Sequence, residues 1–182
     1  MVPNASGALK FGTAPALPAL PAVTLKAEAQ TSTATMSNFT VEEAAKEAGG
    51  WNVTVAGRSG VGKSAVFARY CPKATCGGDT EGYVAGGATL AANSLTLNTT
   101  GASFTGGSGS APELKCAVSC KVDSASAVKV ASKATGGTGG STWKTSGFSA
   151  ASLTLSTPST LKALPAEEIY RVNILWTLAT GP

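Results

Sequence analysis

From Tyr170 to Leu178 the chain sets Tyr170, Val172, Ile174, Trp176 and Leu178 at every second position, with smaller or polar side chains mostly between them. In an extended chain successive side chains point to opposite faces, so this stretch predicts one half-buried β-strand. A second segment, Trp51-Asn52-Val53-Thr54-Val55, alternates in the same way and also opens on a tryptophan. The expectation is a fold in which two aromatic anchors face a common core.

Composition extends that reading to the rest of the chain. Its 182 residues are enough for the core of one domain. Hydrophobic residues make up 43%, but many are alanine, and 22 glycines among abundant serine and threonine favour short strands and turns over long helices. Ser94-Leu95-Thr96-Leu97-Asn98 recurs nearly intact as Ser152-Leu153-Thr154-Leu155-Ser156, which reads as a pair of equivalent strands. Further strands are expected at Ala65 to Tyr70 and around Val128 and Val130, with glycine-rich turns at Gly86-Gly87, Gly106-Gly107 and Gly136 to Gly140. Glu42 to Ala48 is the one candidate helix, with Thr40 as its N-cap and Gly49-Gly50 as its stop. The predicted fold class is therefore all-β: a β-sandwich or open barrel of about eight to ten short, mainly antiparallel strands with at most one short helix.

Pro15, Pro18 and Pro21 stand three apart, a spacing that favours an extended polyproline-like conformation. Residues 1–23 accordingly read as an N-terminal arm and 24–182 as a single β domain. Three readings of the arm stay open: a flexible lead-in, an edge strand on its own body, or a strand inserted into a neighbouring copy.

Several function classes lose their support at this level. Charged residues are 13% of the chain, against roughly a quarter in an ordinary soluble domain, which suits a secreted surface protein. The net charge of +4 is scattered, with no basic run interleaved with aromatics, so nucleic acid is not an expected partner. A weak attraction to anionic wall polymers is compatible with it. Histidine is absent, which removes serine–histidine and cysteine–histidine catalysis together with the commonest metal ligand. No catalytic residue, cofactor site or metal site is predicted. No segment approaches the ~20 apolar residues of a membrane span, and Met1 to Gly12 lacks the order of a signal peptide, so a mature exported form is expected.

The four cysteines fall into two tight pairs, Cys71 with Cys76 and Cys116 with Cys120, each beside turn formers. Two local disulfide loops in an oxidising compartment are the natural reading. A four-thiolate zinc site is the rival, although zinc knuckles favour shorter spacing, and cross-pairing remains open.

One motif competes with this picture. Gly57-Arg58-Ser59-Gly60-Val61-Gly62-Lys63-Ser64 matches the Walker A pattern at every defined position and follows a strand-like run. A phosphate cradle needs a helix after Ser64 and further β-α units to make a parallel sheet, and no later stretch supplies them. Asp79-Thr80-Glu81-Gly82 and Cys120-Lys121-Val122-Asp123 echo nucleotide-site motifs without the scaffold. The alternative is a hairpin loop with Arg58 and Lys63 exposed. Glu167 and Glu168 could be drafted as an acid pair, but neighbours on an extended chain diverge, and a solvated turn is expected instead.

The ending resembles the proximal signature of the WxL cell-wall-binding domain family: Tyr170, Ile174, Trp176, Leu178 and Pro182 occupy its tyrosine, aliphatic, Trp-x-Leu and proline positions. Trp51-Asn52-Val53 is similar to the family's distal Trp-x-Leu, with Val53 in place of leucine, and the likeness spans Leu9 to Pro182. It implies a secreted β-sandwich on a Gram-positive cell surface, held non-covalently to peptidoglycan or an associated wall polymer, with no enzyme activity. An alternative is a structural subunit of an extracellular fibre, built when the arm adds a strand to another copy's sheet edge.

Overall fold

Alternating side chains bury their apolar half by stacking sheets face to face, and the computed structural model of the chain is an all-β, sandwich-like fold. It describes residues 9–43, 50–134 and 141–182. Among them fifteen strands form four open antiparallel sheets, and no helix occurs. The first sheet has the order β1 (Lys10–Thr13), β3 (Thr40–Glu43), β12 (Ser141–Ser146), β8 (Ser103–Gly106). The second runs β10 (Cys120–Lys121), β7 (Leu95–Leu97), β13 (Leu153–Thr157), β2 (Gln30–Ala34). The third runs β15 (Ile174–Thr180), β4 (Trp51–Gly57), β11 (Val128–Lys133), β9 (Glu113–Leu114). The fourth is smaller: β14 (Ile169–Arg171), β5 (Ala68–Cys76), β6 (Asp79–Tyr83).

One core serves the sandwich. Trp51 on β4 meets Phe104 on β8 edge to face, with ring centroids 5.8 Å apart, which brings the first and third sheets together. Phe39 lies between Phe104, Phe11 and Trp176 at 5.8, 6.3 and 6.5 Å. Leu95, Leu97, Leu153 and Leu155 join the same buried cluster from the second sheet. Each buried leucine contributes about 1.5–3 kcal/mol relative to exposure. The near-repeat explains this row: β7 and β13 are direct neighbours, with Leu153 opposite Leu97 and Leu155 opposite Leu95, so the leucines of both copies share one face.

Some details depart from the sequence reading. Glu42 and Glu43 extend β3 instead of opening a helix, because Val41 and Glu43 alternate inward; the remainder of that expected helix, and the whole Gly136 to Gly140 turn, lie outside the described residues. The predicted terminal strand is two strands: β14 belongs to the fourth sheet, β15 to the third, and the chain changes sheet at Val172-Asn173. Asn173 fixes that corner. Its backbone N–H donates to Ser64 O, its carbonyl accepts from Arg58 N, and its side-chain oxygen accepts from Ser64 N and the Tyr83 hydroxyl.

Within the arm, Lys10–Thr13 form an edge strand on the chain's own body, whereas the Pro-rich stretch 14–23 belongs to no strand. β1 pairs with β3 through Lys10 opposite Glu42 and Phe11 opposite Val41. Beyond it the chain is extended and irregular, with Pro15 buried and Leu17, Leu20 and Val23 half-buried at a spacing of three, as a polyproline-like conformation places them.

Candidate functional site

The third sheet unites the two tryptophan motifs. β4 and β15 pair without a register break from Trp51 opposite Thr180 to Gly57 opposite Ile174, which sets Val53 against Leu178 and Val55 against Trp176. The two indoles nevertheless differ in setting. β4 is flanked on both sides, and Trp51, Val53 and Val55 are fully buried. β15 forms the sheet's edge, so Ile174, Trp176 and Leu178 face inward but remain half-buried, while Leu175, Thr177 and Ala179 are exposed on the other face. Tyr170 lies on β14, where its hydroxyl donates to Lys162 O at 2.9 Å, and Pro182 is exposed beyond β15.

Around Trp51 lies a charged cluster that sequence reasoning missed. Glu43 on β3 accepts the Trp51 indole N–H at 2.9 Å and the Trp143 indole N–H at 3.0 Å, and it pairs with Lys133 on β11. The Glu43 and Lys133 side chains are 4% and 3% exposed, and the lysine ammonium also stands over the Trp143 ring. A carboxylate so far from water requires this full set of donors. The signal in sequence was the alternation of Val41 and Glu43, overlooked because the glutamates also suit a helix N-terminus.

A second cluster corrects the reading of Glu167 and Glu168. Glu167 is exposed and pairs with Lys73 at 2.6 Å, as a solvated turn implies. The Glu168 side chain is instead buried, bound by both Nε and Nη2 of Arg69, which also reaches Asp79. The Arg69 hydrogen bond holds the Glu168 carboxyl below the usual carboxylate range. Burial pushes the phenols of Tyr83 and Tyr170 up. The cluster ties β14 to β5 beside the corner at Asn173.

The Walker-like segment is a β-turn. Lys63 N donates to Gly60 O at 3.0 Å, Gly62 adopts φ +65° and Val61 projects fully into solvent. No helix leaves Ser64; its hydroxyl turns onto Val66, and its backbone braces Asn173. Arg58 and Lys63 are exposed. Asp123, in the segment echoing a guanine-reading loop, is buried and accepts the backbone N–H groups of Ser94 and Leu95, so its oxygens clamp the start of β7. Burial pushes its carboxyl up, against the pull of those two donors.

All four cysteines are consumed in the local disulfides Cys71–Cys76 and Cys116–Cys120, which leaves no thiolate set for zinc. The first spans the register break that β5 makes against β6. The second closes the loop leading into β10. Two disulfides suit an oxidising, extracytoplasmic compartment. Among the described residues no acidic or cysteine cluster is arranged to hold a metal, and no helix is long and apolar enough to cross a membrane. Compared with known proteins, the chain matches no family model, no curated protein and no solved structure.

Proposed function

We propose that this chain is a non-catalytic, secreted surface domain that associates with the Gram-positive cell wall through the flank of the third sheet formed by β15. The observation that carries this reading is the pairing of the two Trp-x-aliphatic segments, drawn from positions 51 and 176, in register on neighbouring strands. The resemblance to WxL domains rests on these residues, which lie on paired strands of one sheet. Trp51 is committed to the core by burial and by Glu43; Trp176, on the edge strand, is only half-buried. A half-buried tryptophan at a sheet edge offers an apolar face to a sugar ring, and the net charge of +4 draws anionic wall polymer toward it.

Pull-down on purified peptidoglycan, with and without its attached polymers, tests this reading. Wild-type protein is expected to co-sediment and a folded Trp176→Ala variant to lose most of that binding. Absence of wild-type binding to either preparation rejects the proposal.

A second reading, a fibre subunit joined to further copies by its arm, is favoured by the outer edge of β15. Ile174 to Thr180 contains no charge and no proline, the devices that guard an edge against strand addition. Sedimentation of the full chain against a chain lacking residues 1–21 separates the two readings, because assembly in this scheme requires the arm.

A further inference from the structure

A cavity of about 630 Å³ lies between the arm and the body. That volume is within the roughly 300–1,000 Å³ of small-molecule sites. One wall is the row Leu17, Leu20 and Val23 along the arm; Leu95, Leu153 and Leu155 of the second sheet form another. Leu25 and Ile169, 39% and 46% exposed, also line it, so apolar surface continues from the interior to solvent.

The polar lining has a definite sign. Glu168 is held by Arg69, and the cavity's two other charged residues, Lys162 and Arg171, are both exposed cations. Neither has a carboxylate within ion-pair distance among the described residues. Arg171 is placed by stacking over Tyr70, its guanidinium carbon 4.4 Å from the ring centroid. An apolar interior beside two unpaired cations is complementary to an anion with a long hydrocarbon tail.

The covering segment can also part from the body. Among the described residues no hydrogen bond or ion pair joins residues 14–29 to any other element, so the strap is held by side-chain packing alone. Opening it breaks no backbone pairing.

We infer that this cavity binds one long-chain carboxylate, a free fatty-acid anion, with its tail between the arm and the leucines of β7 and β13 and its head at Lys162 and Arg171. This inference is independent of the wall-binding reading, which concerns β15. The test is titration of the full chain with cis-parinarate, a fluorescent long-chain carboxylate, below its aggregation limit, followed by displacement with hexadecanoate, hexadecanol and phosphatidylglycerol vesicles.

Saturable one-to-one binding, displaced by hexadecanoate well before hexadecanol, is expected. Lys162→Glu/Arg171→Glu should weaken parinarate by about tenfold or more while leaving hexadecanol competition unchanged. Val23→Trp, which fills the cavity from the half-buried arm and leaves the leucines of the sheet intact, should abolish binding. Absence of wild-type binding, indifference to both variants in folded protein, equal competition by the alcohol, or capture of vesicles without binding of the monomer each overturns the inference.

Discussion

Trp51 and Trp176 stand on adjacent strands of one sheet, face the same core and follow the same alternation, yet one is sealed and the other is half open. Strand position accounts for the difference. β4 has neighbours on both sides and β15 has one, so the same inward direction gives full burial in the first case and a partly wet ring in the second. Each region also has its own ion pair. Glu43 and Lys133 are enclosed beside Trp51, whereas Arg69, which binds Glu168 near the β14–β15 corner, keeps 23% of its side chain exposed. The sheet thus has a closed centre that supports the fold and an open flank available for contact.

The strongest test of this contrast removes the central indole. Trp51→Ala should cost about 5 kcal/mol, the upper end for a buried aromatic, since it leaves a cavity and takes one donor from Glu43. Urea unfolding monitored by circular dichroism measures it. A loss that large threatens a domain of ordinary stability, so the variant is expected to be largely unfolded.

Glu43→Gln comes next. It leaves the Lys133 ammonium in the core without its anion, at an expected cost of about 3–4 kcal/mol. Adding Lys133→Met should restore most of the loss, because the pair's desolvation disappears along with its attraction. No recovery in the double variant would show that Glu43 matters through its two indole partners alone.

Trp176→Ala should cost less, about 1–2 kcal/mol, because only part of its surface leaves water on folding. A cost equal to that of Trp51→Ala would erase the distinction between centre and flank. The same variant is the one used in the wall-binding assay, and a small stability cost makes that result interpretable.

How far the sequence reached follows the same physics. Periodicity reports which way a side chain points, so the strands at Trp51 and Trp176, the leucine rows of β7 and β13, and the all-β class were legible. It does not report which strand ends at an edge, so the unequal burial of the two indoles was not. Short cysteine spacing favoured local loops while leaving cross-pairing and zinc open, and the two disulfides are the local ones. Glu43 and Glu168 escaped because their partners, Lys133 and Arg69, are distant in sequence and meet them only through sheet pairing. Tyr170 to Leu178 read as one strand because alternation continues through Asn173, whereas the corner depends on hydrogen bonds to Ser64 and Tyr83 from elsewhere in the chain. The Walker match fails for the complementary reason: its residues are local, but the helix that gives them meaning is absent after Ser64.

The smallest expected effect is a change of slope with pH, and it separates the flank from another part of the fold. Arg69 lowers the folded-state pKa of Glu168, so the stabilisation from that carboxylate is fully present above the ordinary glutamate pKa and is lost as pH falls through the lowered value. Asp123 has the opposite sign. Burial raises its folded-state pKa, so its contribution is present below the ordinary aspartate pKa and is lost as pH rises through the raised value. Urea midpoints recorded from strongly acidic to neutral pH should therefore show Glu168→Gln flattening the acid limb relative to wild type, while Asp123→Asn steepens the net rise by removing the opposing term. Identical pH slopes for wild type and Glu168→Gln would mean that the Arg69 contact does not favour the charged carboxylate, and β14 would then be tied to β5 by its backbone pairing and packing, without help from this ion pair.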